Sequence, residues 1–234
     1  MLKTNTLRKR KGVFMSPDPK RVFLFANGPL PNLGAVQSLI KAEDFLIAVD
    51  GGLRHLLDLG LTPDLIIGDL DSADPALLQP LKKQQVEVRQ HPAEKDQTDL
   101  ELGIDAALEW NPKWIRILGA LGGRIDQTLV NIFLLTKPEL AGVDIRLVDG
   151  EQEVFVIRDS AQISGKSGQR VSLLPLHQPA KGIRTTGLKY QLNGETLYPD
   201  RTRGISNVMN SKSASVKLDY GWLLCIHEFS IEAP

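Results

Sequence analysis

The chain has 234 residues, enough for one large domain or two modest ones around a sizeable core. Lys plus Arg (28) equals Asp plus Glu (28), which excludes a global pull toward nucleic acid or an acidic membrane surface, so any anion recognition has to be local. Cys225 stands alone, which excludes an internal disulfide and a cysteine-rich zinc site and fits a reducing cytoplasm; no apolar run approaches the ~20 residues that span a bilayer.

Residues 1–20 read as a flexible basic tail. Seven Lys/Arg face one acid, Asp18, between Met1 and Arg21, with no amphipathic period and no apolar core of a secretory signal. A nucleic-acid arm and a transit peptide are the weaker readings of this stretch, and Met15 offers an alternative start that would enter the first strand within a few residues.

From residue 21 to 150, short apolar runs alternate with amphipathic ones, the pattern of a parallel sheet covered by helices. The strand candidates are Val22 to Ala26, Phe45 to Val49, Leu65 to Ile67, Val86 to Val88, Ile115 to Leu118 and Ile145 to Val148. Between them fall helix candidates Leu33 to Lys41, Leu53 to Leu59, Pro75 to Gln85 with Asp74 as N-cap, Leu100 to Trp110 and Asp126 to Leu135. In the last two, Leu100, Ile104, Ala107 and Leu108, and then Leu129, Ile132 and Phe133, recur at helical spacing. From 151 to 234 that period vanishes. Strand candidates Glu153 to Ile157, Arg170 to Pro175, Lys189 to Leu192, Ser213 to Leu218 and Trp222 to Phe229 follow, with Asn193-Gly194 as a hairpin signal. The expectation is an α/β, Rossmann-like parallel-sheet domain followed by a smaller antiparallel β-sandwich.

Three acidic clusters sit where a strand gives way to a loop or helix: Gly68-Asp69-Leu70-Asp71-Ser72, Glu94-Lys95-Asp96-Gln97-Thr98-Asp99 and Gly122-Gly123-Arg124-Ile125-Asp126. In one parallel sheet they share an edge, and like charges gathered there call for a cation; Mg²⁺ with a polyphosphate answers both needs. Asp69 and Asp71, one residue apart, project to the same side of an extended chain and can share an ion, although Asp71 or Asp74 would equally serve as a helix cap. Asp96 and Asp99 stand at a helix head, where Thr98 or Asp99 caps, and Lys95 either neutralises them or meets a phosphate. Gly119, Gly122 and Gly123 allow a sharp turn with amides turned to an anion, and Arg124 adds a forked donor. Asn27-Gly28-Pro29 and Asp50-Gly51-Gly52 put two more polar turns on the same edge. The spacing matches neither the dinucleotide fingerprint nor the P-loop. His55, His91, His177 and His227 lack zinc spacing and receive no role.

The order Asp50-Gly51-Gly52, Pro63-Asp64, Gly68-Asp69-Leu70-Asp71-Ser72, Glu94 to Glu101 and Gly119 to Asp126 resembles the thiamine pyrophosphokinase family, more loosely through Val171 to Pro175 and Gly204-Ile205-Ser206-Asn207. The resemblance implies Mg²⁺-dependent transfer of pyrophosphate from ATP to thiamine, in a homodimer with active sites between subunits. It places the metal on Asp69, Asp71, Asp96 and Asp99 and catalysis on Asp71, Asp99, Arg124 and Asp126. Nucleotide contacts fall to Asn27, Asp50, Gly51, Lys95, Gly122, Gly123, Arg124 and Gln127, and thiamine to Ser206 and Asn207. Trp222 is a candidate for stacking on the thiazolium and equally a core residue. Gln127 stands where the family commonly has His, keeping a hydrogen bond and losing a titratable group. The rival expectations are a Mg²⁺-dependent phosphatase, suggested by Asp69-Leu70-Asp71, and a non-catalytic nucleotide-binding relative, suggested by Gln127.

Overall fold

The computed structural model describes residues 21–70, 79–81 and 83–229, and the chain divides into two compact units between Asp149 and Gly150. The basic tail and the expected helix start at Asp74-Pro75 lie outside the described residues. Residues 79–81 are helical, with Leu81 buried.

The first unit runs β1 (Arg21–Phe25), α1 (Leu33–Leu39), β2 (Phe45–Val49), α2 (Leu53–Asp58), β3 (Leu65–Gly68), β4 (Glu87–Gln90), α3 (Asp99–Leu108), β5 (Trp114–Leu118), α4 (Ile125–Leu134) and β6 (Asp144–Val148). Among the described residues its six strands are all parallel, in the order β4-β3-β2-β1-β5-β6. Helices cover both faces of such a sheet, so its strands read as continuous apolar runs: all five residues of β2 are buried. The edge strand β4 is the exception. It carries Glu87, Arg89 and Gln90, and it extends two residues past the apolar run because Arg89 and Gln90 still pair with Ile67 and Gly68.

Chain order reverses at β1, which lies between β2 and β5. This is a topological switch point, the place at which open parallel sheets commonly hold ligands. Helix α3 crosses β1, β2 and β3 closely because Gly103 has no side chain; a Cβ there would stand 2.7 Å from Val49 Cγ2 and 3.2 Å from Leu24 Cδ2. Helix α4 departs from expectation. Its spacing suggests that Leu129 and Phe133 face the core, yet Ile125, Leu129, Val130 and Phe133 are exposed at 77%, 48%, 39% and 46%, while Asn131 and Leu135 are buried. Periodicity finds an apolar stripe without saying what covers it.

At the amino ends of the strands, ion pairs replace apolar contacts. Buried Asp44 accepts from Arg21 Nε at 2.8 Å and Lys41 N at 2.7 Å. The Trp114 ring lies between the Arg21 and Arg116 guanidinium groups, 4.2 and 4.1 Å from its centroid, and Arg116 also pairs with Asp144 at 2.8 Å.

The second unit is antiparallel: β7 (Gln152–Ile157), β8 (Ser160–Ser164), β9 (Arg170–Thr186), β10 (Asn193–Leu197), β11 (Asn207–Val208), β12 (Ser213–Lys217) and β13 (Tyr220–Glu228). The order is β7-β13-β9-β12-β8, and β10 and β11 also pair with β9. A single cluster, including Phe155, Ile163, Leu173, Ile183, Val216 and Leu223, forms its core.

Three expectations fail here. The strand expected to end at Pro175 continues instead as the 17-residue β9, through Pro175 and Pro179, since proline is tolerated where no ladder bond is needed. Asn193-Gly194 opens β10 instead of turning a hairpin, and residues 189–192 are not a strand. Strand β8 was invisible because its sequence, SAQIS, offers only Ile163 as a large apolar anchor.

Candidate active site

The described turns that follow the parallel strands open on one edge, and those after β1, β2, β3 and β5 touch one another in succession. At the exit of β1, Ala26 N donates to Leu118 O (2.8 Å) and Gly28 N to Gly119 O (2.7 Å), binding this turn to the exit of β5. At the exit of β2, a Cβ on Gly51 would overlap the Asn27 side-chain amide, so Asn27 and the Asp50-Gly51 turn are packed together. At the exit of β3, a Cβ on Gly68 would stand 3.2 Å from Asp50 Cα. Asp69 follows immediately, its carbonyl accepting from Gln90 Nε2 at 3.1 Å. Asn27, Asp50, Gly51 and Asp69 thus collect along three adjacent strand exits. Asp50 and Leu70 hold φ of 48° and 59°, a left-handed conformation that costs non-glycine residues free energy and gathers at functional turns.

A helix that follows a parallel strand starts at this same edge, which puts the head of α3 here. Thr98, and not Asp99, is its N-cap, accepting from Glu101 N at 3.2 Å. Asp99, in the first turn, is therefore not used for capping. Its Oδ1 is buried and accepts no hydrogen bond; Lys95 Nζ lies 3.0 Å away, close enough for an ion pair but outside hydrogen-bonding geometry, and donates to Pro92 O at 2.8 Å. Lys95 thus neutralises Asp99 in this structure. Asp96 is exposed.

The exit of β5 is a glycine turn, with φ of 81° at Gly122 and 70° at Gly123, values that suit only glycine without strain. The helix behind it holds it in place: Thr128 Oγ1 donates to Gly122 O (3.1 Å) and buried Asn131 Nδ2 to Ala120 O (2.8 Å). Arg124 is the N-cap residue of α4 but makes no side-chain cap. Its guanidinium grips Asp126 through Nε–Oδ1 (3.1 Å) and Nη2–Oδ2 (2.6 Å), and Gln127 N donates to Asp126 Oδ1 at 2.9 Å. The hydrogen bond to Arg124 draws the Asp126 carboxyl below its ordinary range, and Asp126 raises Arg124 in turn. Both are exposed, so water and salt screen the pair and Arg124 can be drawn to a stronger anion.

The sequence matches the family models described as thiamin pyrophosphokinase catalytic domain over residues 36–147 and vitamin B1 binding domain over 156–223. It is 31% identical to thiamine pyrophosphokinase of Bacillus subtilis (strain 168) over 209 residues, covering 88% of this chain and 98% of the relative. The chain belongs to the thiamine pyrophosphokinase family. The crystal structure of the Bacillus subtilis protein superimposes with a TM-score of 0.81, covering 90% of this chain and 99% of that one. A family member from Enterococcus faecalis superimposes at 0.77 with 28% identity, covering 89% and 98%.

Asp64 Oδ2 accepts from Leu46 N at 2.8 Å, and Asp64 N donates to Leu46 O at 2.8 Å. Asp71 lies outside the described residues. Among the described residues no three His, Cys, Asp or Glu side chains come together as a metal cage. Mg²⁺ does not require one, since it usually keeps waters and binds one or two carboxylates plus substrate phosphates. Hard carboxylate oxygens, with the buried Asp99 Oδ1 lacking a hydrogen-bond donor, fit that ion.

The second unit presents its candidates separately. Ser206 is exposed, at φ 56°, and its N donates to Ser172 Oγ (3.0 Å). Asn207 is buried, and its amide is already engaged: Oδ1 accepts from Tyr190 N (3.0 Å) and Val208 N (2.9 Å), and Nδ2 donates to Tyr190 O (2.7 Å). Trp222 is half-buried beneath the Arg158 guanidinium, 4.5 Å from the ring centroid. Thr128 and Asn131 are the supporting residues that sequence reading missed. Their signal was two polar residues three apart, Asn131 standing alone among the apolar residues 129–134.

Proposed function

We propose that this chain transfers a pyrophosphoryl group from ATP to the hydroxyl of thiamine, giving thiamine diphosphate and AMP, with Mg²⁺ as the required ion. The observation that carries this reading is the meeting of the β1, β2, β3 and β5 exits at the switch point, with the glycine turn and Arg124 beside them. Family membership supplies the substrate pair.

The reaction needs alignment and charge neutralisation more than covalent help from the protein. Gly122 and Gly123 offer backbone to the nucleotide phosphates, and Arg124, released from Asp126, gives them a forked donor. Asn27, Asp50, Gly51 and Gln127 line the nucleotide side, and Lys95 balances charge at the head of α3. Asp69, Asp71, Asp96 and Asp99 would hold Mg²⁺, which when bound supplies charge neutralisation to the phosphates. The thiamine hydroxyl attacks the β-phosphorus in line and AMP leaves.

We assign thiamine to the second unit, read as a β-sandwich, through Ser206 and the neighbourhood of Asn207 and Trp222. The exposed stripe on α4 beside Arg124 supports a homodimer, because a large apolar face next to a site calls for a covering surface. A cytoplasmic setting supplies ATP and suits a buried free thiol at Cys225. No helix among the described residues is long and apolar enough to cross a membrane.

One assay tests the reading: protein, Mg²⁺, ATP and thiamine are incubated and the products resolved. AMP with thiamine diphosphate supports it. Inorganic phosphate alone would mark a phosphatase, and unchanged ATP a non-catalytic binder.

A further inference from the structure

His55 belongs to none of the acidic or glycine motifs, yet it reaches the site edge from behind. It lies on α2, half-buried, with Nε2 2.9 Å from Gly28 O. A carbonyl oxygen only accepts, so Nε2 carries the proton. The amide of the same residue is fixed on the opposite side, Gly28 N donating to Gly119 O at 2.7 Å, and a Cβ on Gly28 would overlap the Gly119 carbonyl. Gly28 is therefore pinned through both of its backbone polar groups, one to the exit of β5 and one to α2.

Its neighbours carry that pin into the site. The Asn27 side chain occupies the space beside Gly51, and Pro29 Cγ would lie 3.7 Å from a Cβ on Gly122. Helix α2 grows directly out of the turn Asp50–Gly52, so His55 follows Gly52 by less than one helical turn. A closed circuit results: Gly51 and Gly52 lead into His55, His55 holds Gly28, and Asn27 returns to Gly51. The turns after β1, β2 and β5 are thereby held at fixed separation by a side chain that lies behind them.

We propose that His55 is a positioning residue that sets the spacing of these three turns, so that nucleotide phosphates meet backbone already in place. The inference rests on the nucleotide site proposed above. Preorganised donors are worth more than mobile ones because no reorganisation is needed when the anion binds.

The test uses the full chain with His55→Leu, which fills space without donating, and His55→Gln, which keeps an N–H donor. Should His55→Leu not fold, His55→Asn, polar but too short to reach Gly28 O, replaces it. Amide hydrogen exchange at residues 26–30 and 119–123 is measured without substrates, and KM for ATP and kcat are measured with them. In His55→Leu, exchange at those two segments rises and KM for ATP increases about 3- to 10-fold, the range lost with one neutral hydrogen bond, with a smaller change in kcat. His55→Gln restores both. Unchanged exchange in His55→Leu overturns the inference. Raised exchange with unaltered KM for ATP overturns the nucleotide-site reading beneath it.

Discussion

The two units place their polar residues by different rules. In the parallel unit every strand ends at the same edge, so turns distant in sequence, Asn27, Asp50 and Asp69 among them, become neighbours by topology alone. In the antiparallel unit successive strands end at opposite edges, and the long β9 pairs with four others, so proximity follows from bends and register shifts. A motif in the first unit is informative about a site as soon as the sheet is known to be parallel. A motif in the second, such as Ser206-Asn207, has to be judged by what its atoms already bind.

The sharpest attack on this contrast is at the parallel edge. Arg124→Ala and Asp99→Asn should each lower kcat/KM by about 10²- to 10³-fold, the scale of losing one charge-stabilising group in a transfer reaction, with the fold unchanged by circular dichroism. Asp71→Asn should do the same. Chelation of divalent ions should abolish turnover, and added Mg²⁺ should restore it. Full activity in Arg124→Ala would place the phosphates elsewhere.

Legibility followed the same division. Five of the six parallel strands lie where continuous apolar runs put them, because burial on both faces leaves an unbroken signal. The sixth, β4, blurred because its edge position admits Arg89 and Gln90. Beyond residue 150, one-sided burial weakens the pattern, and β8 and β10 went unseen. At the site, residue types and spacing pointed to the turns, but not to their supports. No periodicity tells that Thr128, Asn131 and His55 hold the backbone carbonyls of Gly122, Ala120 and Gly28, or that the Asp64 carboxylate accepts from Leu46 N.

The α4 stripe was legible as apolar and misread in direction. Leu129→Asp with Phe133→Asp should leave the monomer folded, since neither side chain is buried, and shift sedimentation from dimer to monomer. A dimer that survives both changes would put the subunit contact elsewhere. Turnover lost together with the dimer would support sites completed between subunits.

A smaller effect separates ligand from scaffold in the second unit. Asn207→Ala removes a buried amide that satisfies Tyr190 at both N–H and C=O, so it should destabilise by about 1–3 kcal/mol. That is read as a fall in the denaturation midpoint without ligand. Ser206→Ala, at an exposed hydroxyl, should leave the midpoint unchanged and act only on KM for thiamine. If Asn207→Ala behaves like Ser206→Ala, Asn207 is a substrate group first.

The smallest expected effect lies at the amino edge of the parallel unit, away from the chemistry. Burial works against the charged form of Asp144, but Arg116 and Arg146 outweigh it and hold the carboxyl below its ordinary value. A depressed carboxyl contributes stability that is fully present above the unfolded value, about 4, and is lost as pH falls through the folded one. Wild type should therefore lose stability below about pH 4 more steeply than Asp144→Asn, the two curves running parallel above pH 5. Because Asp144 is partly exposed, salt should shrink the difference, and denaturant midpoints at low and high ionic strength would show it. Identical acid limbs in the two proteins would mean that Arg116 is held by Trp114 and backbone carbonyls alone, with the carboxylate a bystander.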